Sequence, residues 1–134
     1  MESEIWSTFA TLRISSAING FSGLFAIWLA ARFASVGMEK GANLLGKIII
    51  SVFGLCVIAT NVFFLMMAQT VFINTSKAFS GIGDAGTEIS PLATNFVSTY
   101  AADAPSLMNT PIFSLMLLAA LLIILLPLWM PAEK

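Results

Sequence analysis

The chain alternates long apolar runs with short polar breaks, and the longest run sets the frame for the others. Residues 48–73, between Lys47 and Asn74, carry no formal charge, and only Ser51, Thr60, Asn61, Gln69 and Thr70 among them have polar side chains. At a rise of ~1.5 Å per residue, about 20 such residues cross a hydrocarbon layer of roughly 30 Å. The pattern predicts a transmembrane helix over about 47–73, with length to spare.

Two further runs obey the same rule. In the first, Ile5, Phe9 and Leu12 recur at helical spacing behind Ser3 as N-cap and Glu4 in the first turn, so helix is expected to begin before a span over about 8–36. Trp6 and Trp28 would lie roughly 33 Å apart on that helix, which suits aromatic anchors at opposite interfaces. Arg13, Arg32 and Lys47 read as interfacial anchors as well, Arg13 with its stem snorkelling outward. The last run, about 111–130, opens on Thr110-Pro111, a cap followed by proline, and Ser114 supplies its only hydroxyl. This third span is expected to meet lipid over much of its circumference and to be ended by Pro127 and Pro131 near Trp129, an interface anchor, with Glu133-Lys134 as a polar stop.

The breaks complete the topology. Residues 36–46 form a short connection, with Gly37 expected at the C′ position of the first helix and Gly41 as a further breaker, so the first two spans are an antiparallel pair. Residues 74–110 form the one long polar segment, which opens on the glycine-rich stretch 80–86 and is expected to stay outside the membrane. Within it Ser90-Pro91 predicts a short interfacial or capping helix over about 91–102, with Leu92, Phe96 and Tyr100 as its apolar stripe. The fold class is an all-α integral membrane protein, a single domain over 1–134 with three transmembrane helices and one short interfacial helix.

Polar and small residues inside the spans mark faces that meet protein. Ser16, Gly20, Gly23, Ile27, Ala30 and Ala34 follow spacings of three and four, a small-residue stripe of the kind that lets two backbones approach, with Asn19 and Ser22 beside it. On the second span Gly54, Asn61 and Ala68 recur every seven residues and drift by only about 20° per step, forming a polar seam. An amide in lipid is costly unless paired, so Asn61 should face the first helix or a partner subunit, with Asn19 and Ser22 at a suitable depth.

Composition narrows the chemistry. Charged residues make up 10% of the chain against a hydrophobic share of 58%, far from the quarter or so of charge usual in soluble domains. A net charge of -1 with no basic cluster leaves nucleic-acid binding without an electrostatic footprint. Histidine is absent and Cys56 is the single cysteine, so no internal disulfide, haem or other metal cofactor is expected, and Cys56 reads as a small apolar packing residue. Asn74-Thr75-Ser76 matches a glycosylation sequon but abuts the span, and Asp84, Glu88 and Asp103 read as a solvated acidic loop. The opening residues lack a basic n-region and a small-residue cleavage site, so they read as retained.

With no catalytic or cofactor-binding groups at depth, the expected role is that of a non-catalytic accessory or structural subunit of a larger integral-membrane complex, its partners being the bilayer and other membrane subunits. Two alternatives stand beside it: a small homo-oligomeric transporter or channel lined by Asn19, Asn61 and Gln69, and a membrane anchor or regulator acting through the 74–110 segment. Arg32, Lys40 and Lys47 flank or lie in the short connection, half of the six basic residues, which places it on the cytoplasmic side of a bacterial inner membrane, or the matrix or stromal side in an organelle. The C-terminus is then cytoplasmic and the N-terminus outside. In whole cells a cysteine at Ser80 is expected to react with a membrane-impermeant reagent and one at Gly41 to remain unlabelled; the reverse pattern inverts the topology.

Overall fold

A computed structural model describes residues 1–130. The described chain forms α1 (Glu2–Glu39), α2 (Leu44–Asp84), α3 (Pro91–Thr99), a 3-10 turn (Leu107–Asn109) and α4 (Pro111–Trp129). Helices α1, α2 and α4 are each long and apolar enough to cross a membrane. Pro131, Glu133 and Lys134, expected to close the third span, lie outside the described residues.

α1 and α2 are antiparallel and much longer than the spans read from hydropathy. At about 1.5 Å per residue they measure roughly 57 and 61 Å, against roughly 28 Å for α4. α1 starts at Glu2 with Met1 as a cap residue that makes no side-chain bond, so Ser3 is not the N-cap. Gly37 is likewise not the C′ residue. It stays helical, and a Cβ there would come within 2.6 Å of Ile50 Cδ1, so its role is close approach of the two helices. The C′ position belongs to Gly41, at φ 66°, where Ala42 N–H reaches the Gly37 carbonyl at 2.8 Å and Gly41 N–H reaches that of Met38 at 3.1 Å. This double closure is a Schellman motif.

The same device ends α2, which runs about ten residues past its apolar stretch. Gly86, at φ 83°, is the C′ residue, with Thr87 N–H on the Ile82 carbonyl and Gly86 N–H on that of Gly83. Residues 80–84, read from sequence as the start of a flexible turn, are therefore helical, and Gly81 and Gly83 sit on its open side. Tertiary burial of Phe79 and Ile82 outweighs the glycine penalty of about 1 kcal/mol each.

α4 lies antiparallel along α2 from Gln69, bonded to the Thr110 hydroxyl, to Ser51, which accepts a 2.8 Å bond from Trp129 Nε1. It buries Leu117, Ala120, Ile124 and Leu128, a stripe at three- and four-residue spacing, and leaves the other side exposed. Ile124 and Leu128 close the main core with Ala30, Ala34 and Val57. Pro127 lies inside the last turn of α4 instead of ending it, and the helix continues to Trp129. Thr110 does not cap α4 through its side chain, because its hydroxyl is taken by Gln69.

α3 ends at Thr99 and packs on the extended part of α2. Ser90 caps it, accepting from Ala93 N–H at 3.2 Å. Its buried face is Ala93, Phe96 and Val97, whereas Leu92 is exposed, so the expected stripe is rotated by about one residue.

Glycine packing gives a paired test. A Cβ on Gly54 would lie 2.6 Å from Ile124 Cγ2, on a stiff and fully buried side chain, while one on Gly20 would meet nothing within 4 Å. Gly54→Ala is expected to destabilise the folded protein in detergent by about 1–3 kcal/mol through overpacking. Gly20→Ala should be neutral or gain up to about 1 kcal/mol from helix propensity. Equal unfolding midpoints for the two variants would contradict this packing.

Candidate functional site

The two amides of α2 that sequence singled out are both engaged inside the chain. Asn61 Nδ2 donates to the Gly23 carbonyl at 3.2 Å and to the Val57 carbonyl at 2.9 Å. Gly23 is buried directly beneath that amide, and any Cβ there would overlap it. The partner of Asn61 is thus the α1 backbone and not Asn19 or Ser22; Asn19 is half-buried and Ser22 exposed. Gln69 holds the segment that leads into α4: its Nε2 donates to the Ser106 carbonyl at 3.0 Å and to the Thr110 hydroxyl at 3.2 Å, and its Oε1 accepts from Ser106 N–H at 2.9 Å and Asn109 Nδ2 at 3.2 Å.

The remaining members of the two seams separate. Ala30 and Ala34 are fully buried in the core and Ile27 packs against it. Ser16 and Gly20, on the same stripe, line open space instead. Gly54 faces α4, Asn61 faces α1, and Ala68 lines the same space as Ser16. That space is a cleft of about 730 Å³ between α1 and α4, with α2 as its back wall. Its floor holds Gly20, Leu24, Asn61 and Leu117; its mouth holds Arg13, Tyr100 and Asn109. Among the described residues Arg13 is the only charged one lining it, and its guanidinium carbon sits 4.8 Å from the centre of the Phe72 ring.

The anchors divide as well. Trp6 lies in an aromatic cluster, 4.7 Å from Phe79 and 5.5 Å from Phe96 between ring centres, and Phe9, Phe72 and Tyr100 complete it. This cluster, built by the ends of α1 and α2 with α3, was not read from sequence. Its signal was the aromatic spacing Phe72, Phe79 on α2, Phe96 on α3 and Tyr100 just after it, but nothing local tied the three segments together. Trp28 and Arg32 are exposed on α1, Lys47 is half-buried, and Trp129 is fixed by Ser51. Cys56, expected as a packing residue, is exposed on α2.

Glu2 fastens the cluster. One carboxylate oxygen accepts from the Ser90 hydroxyl and from Trp6 Nε1, and the other accepts from Ser90 N–H at 3.1 Å. The Ser90 side chain, then its backbone N–H, then Trp6 stabilise the charged form and hold the Glu2 carboxyl below its ordinary value of 4.5. Among the described residues no group of three or more metal-ligating acids or cysteines comes together. The chain matches no protein-family model, no characterised protein and no solved structure.

Because the folded Glu2 carboxyl is depressed, its contribution is complete above the ordinary carboxyl value and is lost as pH falls through the folded one. The protection factor of the Ser90 amide in hydrogen exchange is therefore expected to be constant near neutrality and to drop as pH is taken below 4.5. Glu2→Gln should show low protection and no such step. A flat wild-type profile down to about pH 2.5, well below the ordinary range, would remove Glu2 from this role.

Proposed function

We propose that the protein is a non-catalytic integral membrane subunit, crossing the bilayer with α1, α2 and α4 and offering their outer faces to lipid and to other membrane subunits. The observation that carries this reading is where the polar groups go. Large apolar side chains such as Phe21, Ile112 and Leu115 stand exposed on the outside, while Asn61 and Gln69 bond to other segments of the chain and Ser114 to the carbonyls of Leu107 and Thr110 before it. Such an inside-out arrangement costs heavily in water and little in hydrocarbon.

Geometry supports a specific depth. Arg13, beside Phe72, lies at the level where α4 begins, and Arg32, next to Phe33 on Phe53, lies at the level of Trp129. The two arginines are about 28 Å apart along α1, close to the hydrocarbon thickness of roughly 30 Å. Asn61 and Gly23 then sit near the midplane. Beyond Arg13, the ends of α1 and α2 with α3 form a head that projects roughly 20 Å from the layer. That head supports a second reading, a membrane anchor presenting the 74–110 segment to a soluble partner. A transporter lined by Asn19, Asn61 and Gln69 is less well supported, since two of those amides are occupied by the chain itself.

Extraction from the native membrane in mild detergent separates these roles: co-purifying larger membrane subunits are expected, a soluble partner would favour the anchor, and a pure homo-oligomer the transporter. Asn61→Asp tests the dry midplane. Its carboxylate would face the Gly23 and Val57 carbonyls and cost roughly 2.5–3.5 kcal/mol at mid-membrane. That variant is expected not to accumulate, whereas Asn61→Leu should lose only about 0.6–1.7 kcal/mol, because both carbonyls belong to helices. Normal accumulation of Asn61→Asp with a new cation conductance in liposomes would replace the subunit reading by the transporter.

A further inference from the structure

The cleft between α1 and α4 has the shape and charge of a lipid site. We infer that it holds one acyl chain of an anionic glycerophospholipid from the leaflet on the side of the 74–110 segment, with the lipid phosphate at Arg13. The inference rests on the proposed membrane insertion and adds a ligand to it. Three observations carry it.

The first is charge. Arg13 stands at the mouth of the cleft with its guanidinium carbon over the Phe72 ring, and no acidic residue lines the cleft among the described residues. A guanidinium with donors to spare favours a phosphate, which it can engage with two parallel bonds. Tyr100 and Asn109 stand at the same mouth, where glycerol and ester oxygens would lie. The second is length. From Arg13 to Leu24 the cleft follows α1 for about 16 Å, close to half of the roughly 30 Å hydrocarbon layer. It stops at Asn61, at the proposed midplane, which is where an acyl chain of one leaflet ends. The third is the wall. Leu24, Phe64, Leu65, Phe113, Met116 and Leu117 present apolar surface below the polar mouth. Gly20 leaves the space open, since a Cβ there would touch nothing.

Arg13 and Gly20 therefore have separable roles. Removing the charge should abolish the preference for an anionic headgroup, and filling the space should abolish retention of the chain. Delipidated protein in detergent is titrated with phosphatidylglycerol, phosphatidylcholine and palmitate, and retained lipid is read by native mass spectrometry. Wild type is expected to retain phosphatidylglycerol over phosphatidylcholine by about fivefold, the factor one cation near an anionic surface is worth. Arg13→Gln should bring the two phospholipids to parity. Gly20→Leu should retain neither, while its helical circular dichroism matches wild type. Parity in wild type, an undiminished preference in Arg13→Gln, undiminished retention in Gly20→Leu, or retention of palmitate in place of phosphatidylglycerol would each overturn the inference. Release of the protein from native membranes by carbonate would instead overturn the membrane reading on which it rests.

Discussion

The contact between Asn61 and Gly23 fixes the relation of the two longest helices. Gly23 has no side chain to hold α2 away, so the Asn61 amide reaches the α1 backbone, and the antiparallel register follows from that one point. Toward the short connection the same register puts Gly37 under Ile50 and Phe33 against Phe53. Toward the other end it puts Arg13 over Phe72 and Trp6 against Phe79. A Cβ at position 23 would overlap Asn61 Oδ1, so a larger residue there would displace the amide or the helix that carries it.

α4 divides the hairpin into two unlike halves. Where its Ile124 and Leu128 meet Ala30, Ala34 and Val57, three helices share a closed core. Nearer its start, Gln69 holds α4 through the Ser106 and Thr110 positions, and the space toward α1 remains open as the cleft. A single glutamine thus sets both the entry point of α4 and one wall of the cavity. Because all four of its bonds stay within the chain, it contributes rigidity to the mouth and has no bond left to offer a solute.

The head beyond α4 is held by different physics. Edge-to-face and tilted aromatic pairs join α1, α2 and α3, each worth about 0.5–1.5 kcal/mol beyond the area it buries, and the Glu2 carboxylate ties the start of α1 to the cap of α3. Ser90 serves twice, donating to Glu2 and accepting from Ala93. Ser76 adds a bond to the Val97 carbonyl from the buried side of α2.

Three long apolar helices, the short capped helix after Ser90 and an antiparallel connection within 36–46 were legible in the sequence, though the first helix was expected to stop at Gly37 and runs to Glu39. Uncharged runs of this length form helix in any apolar surrounding, because the backbone must satisfy its own hydrogen bonds. The polar residues at depth were legible as needing partners, but their partners were not, since an amide can reach any carbonyl that packing brings near. The buried face of α4 was invisible. Its sides are almost equally apolar, so no periodicity distinguishes Leu117 and Ile124, which are buried, from Leu118 and Ile123, which are exposed. Nor could local propensity foresee helix through Gly81 and Gly83, which depends on Phe79 and Ile82 being buried by distant segments. The amino-acid sequence by itself determined which runs are apolar and that those runs are helical, but not how far each helix extends past its apolar run. Only the tertiary structure decided which faces meet, because on a surface that is apolar all round the choice is made by shape, and shape is a property of the packed chain.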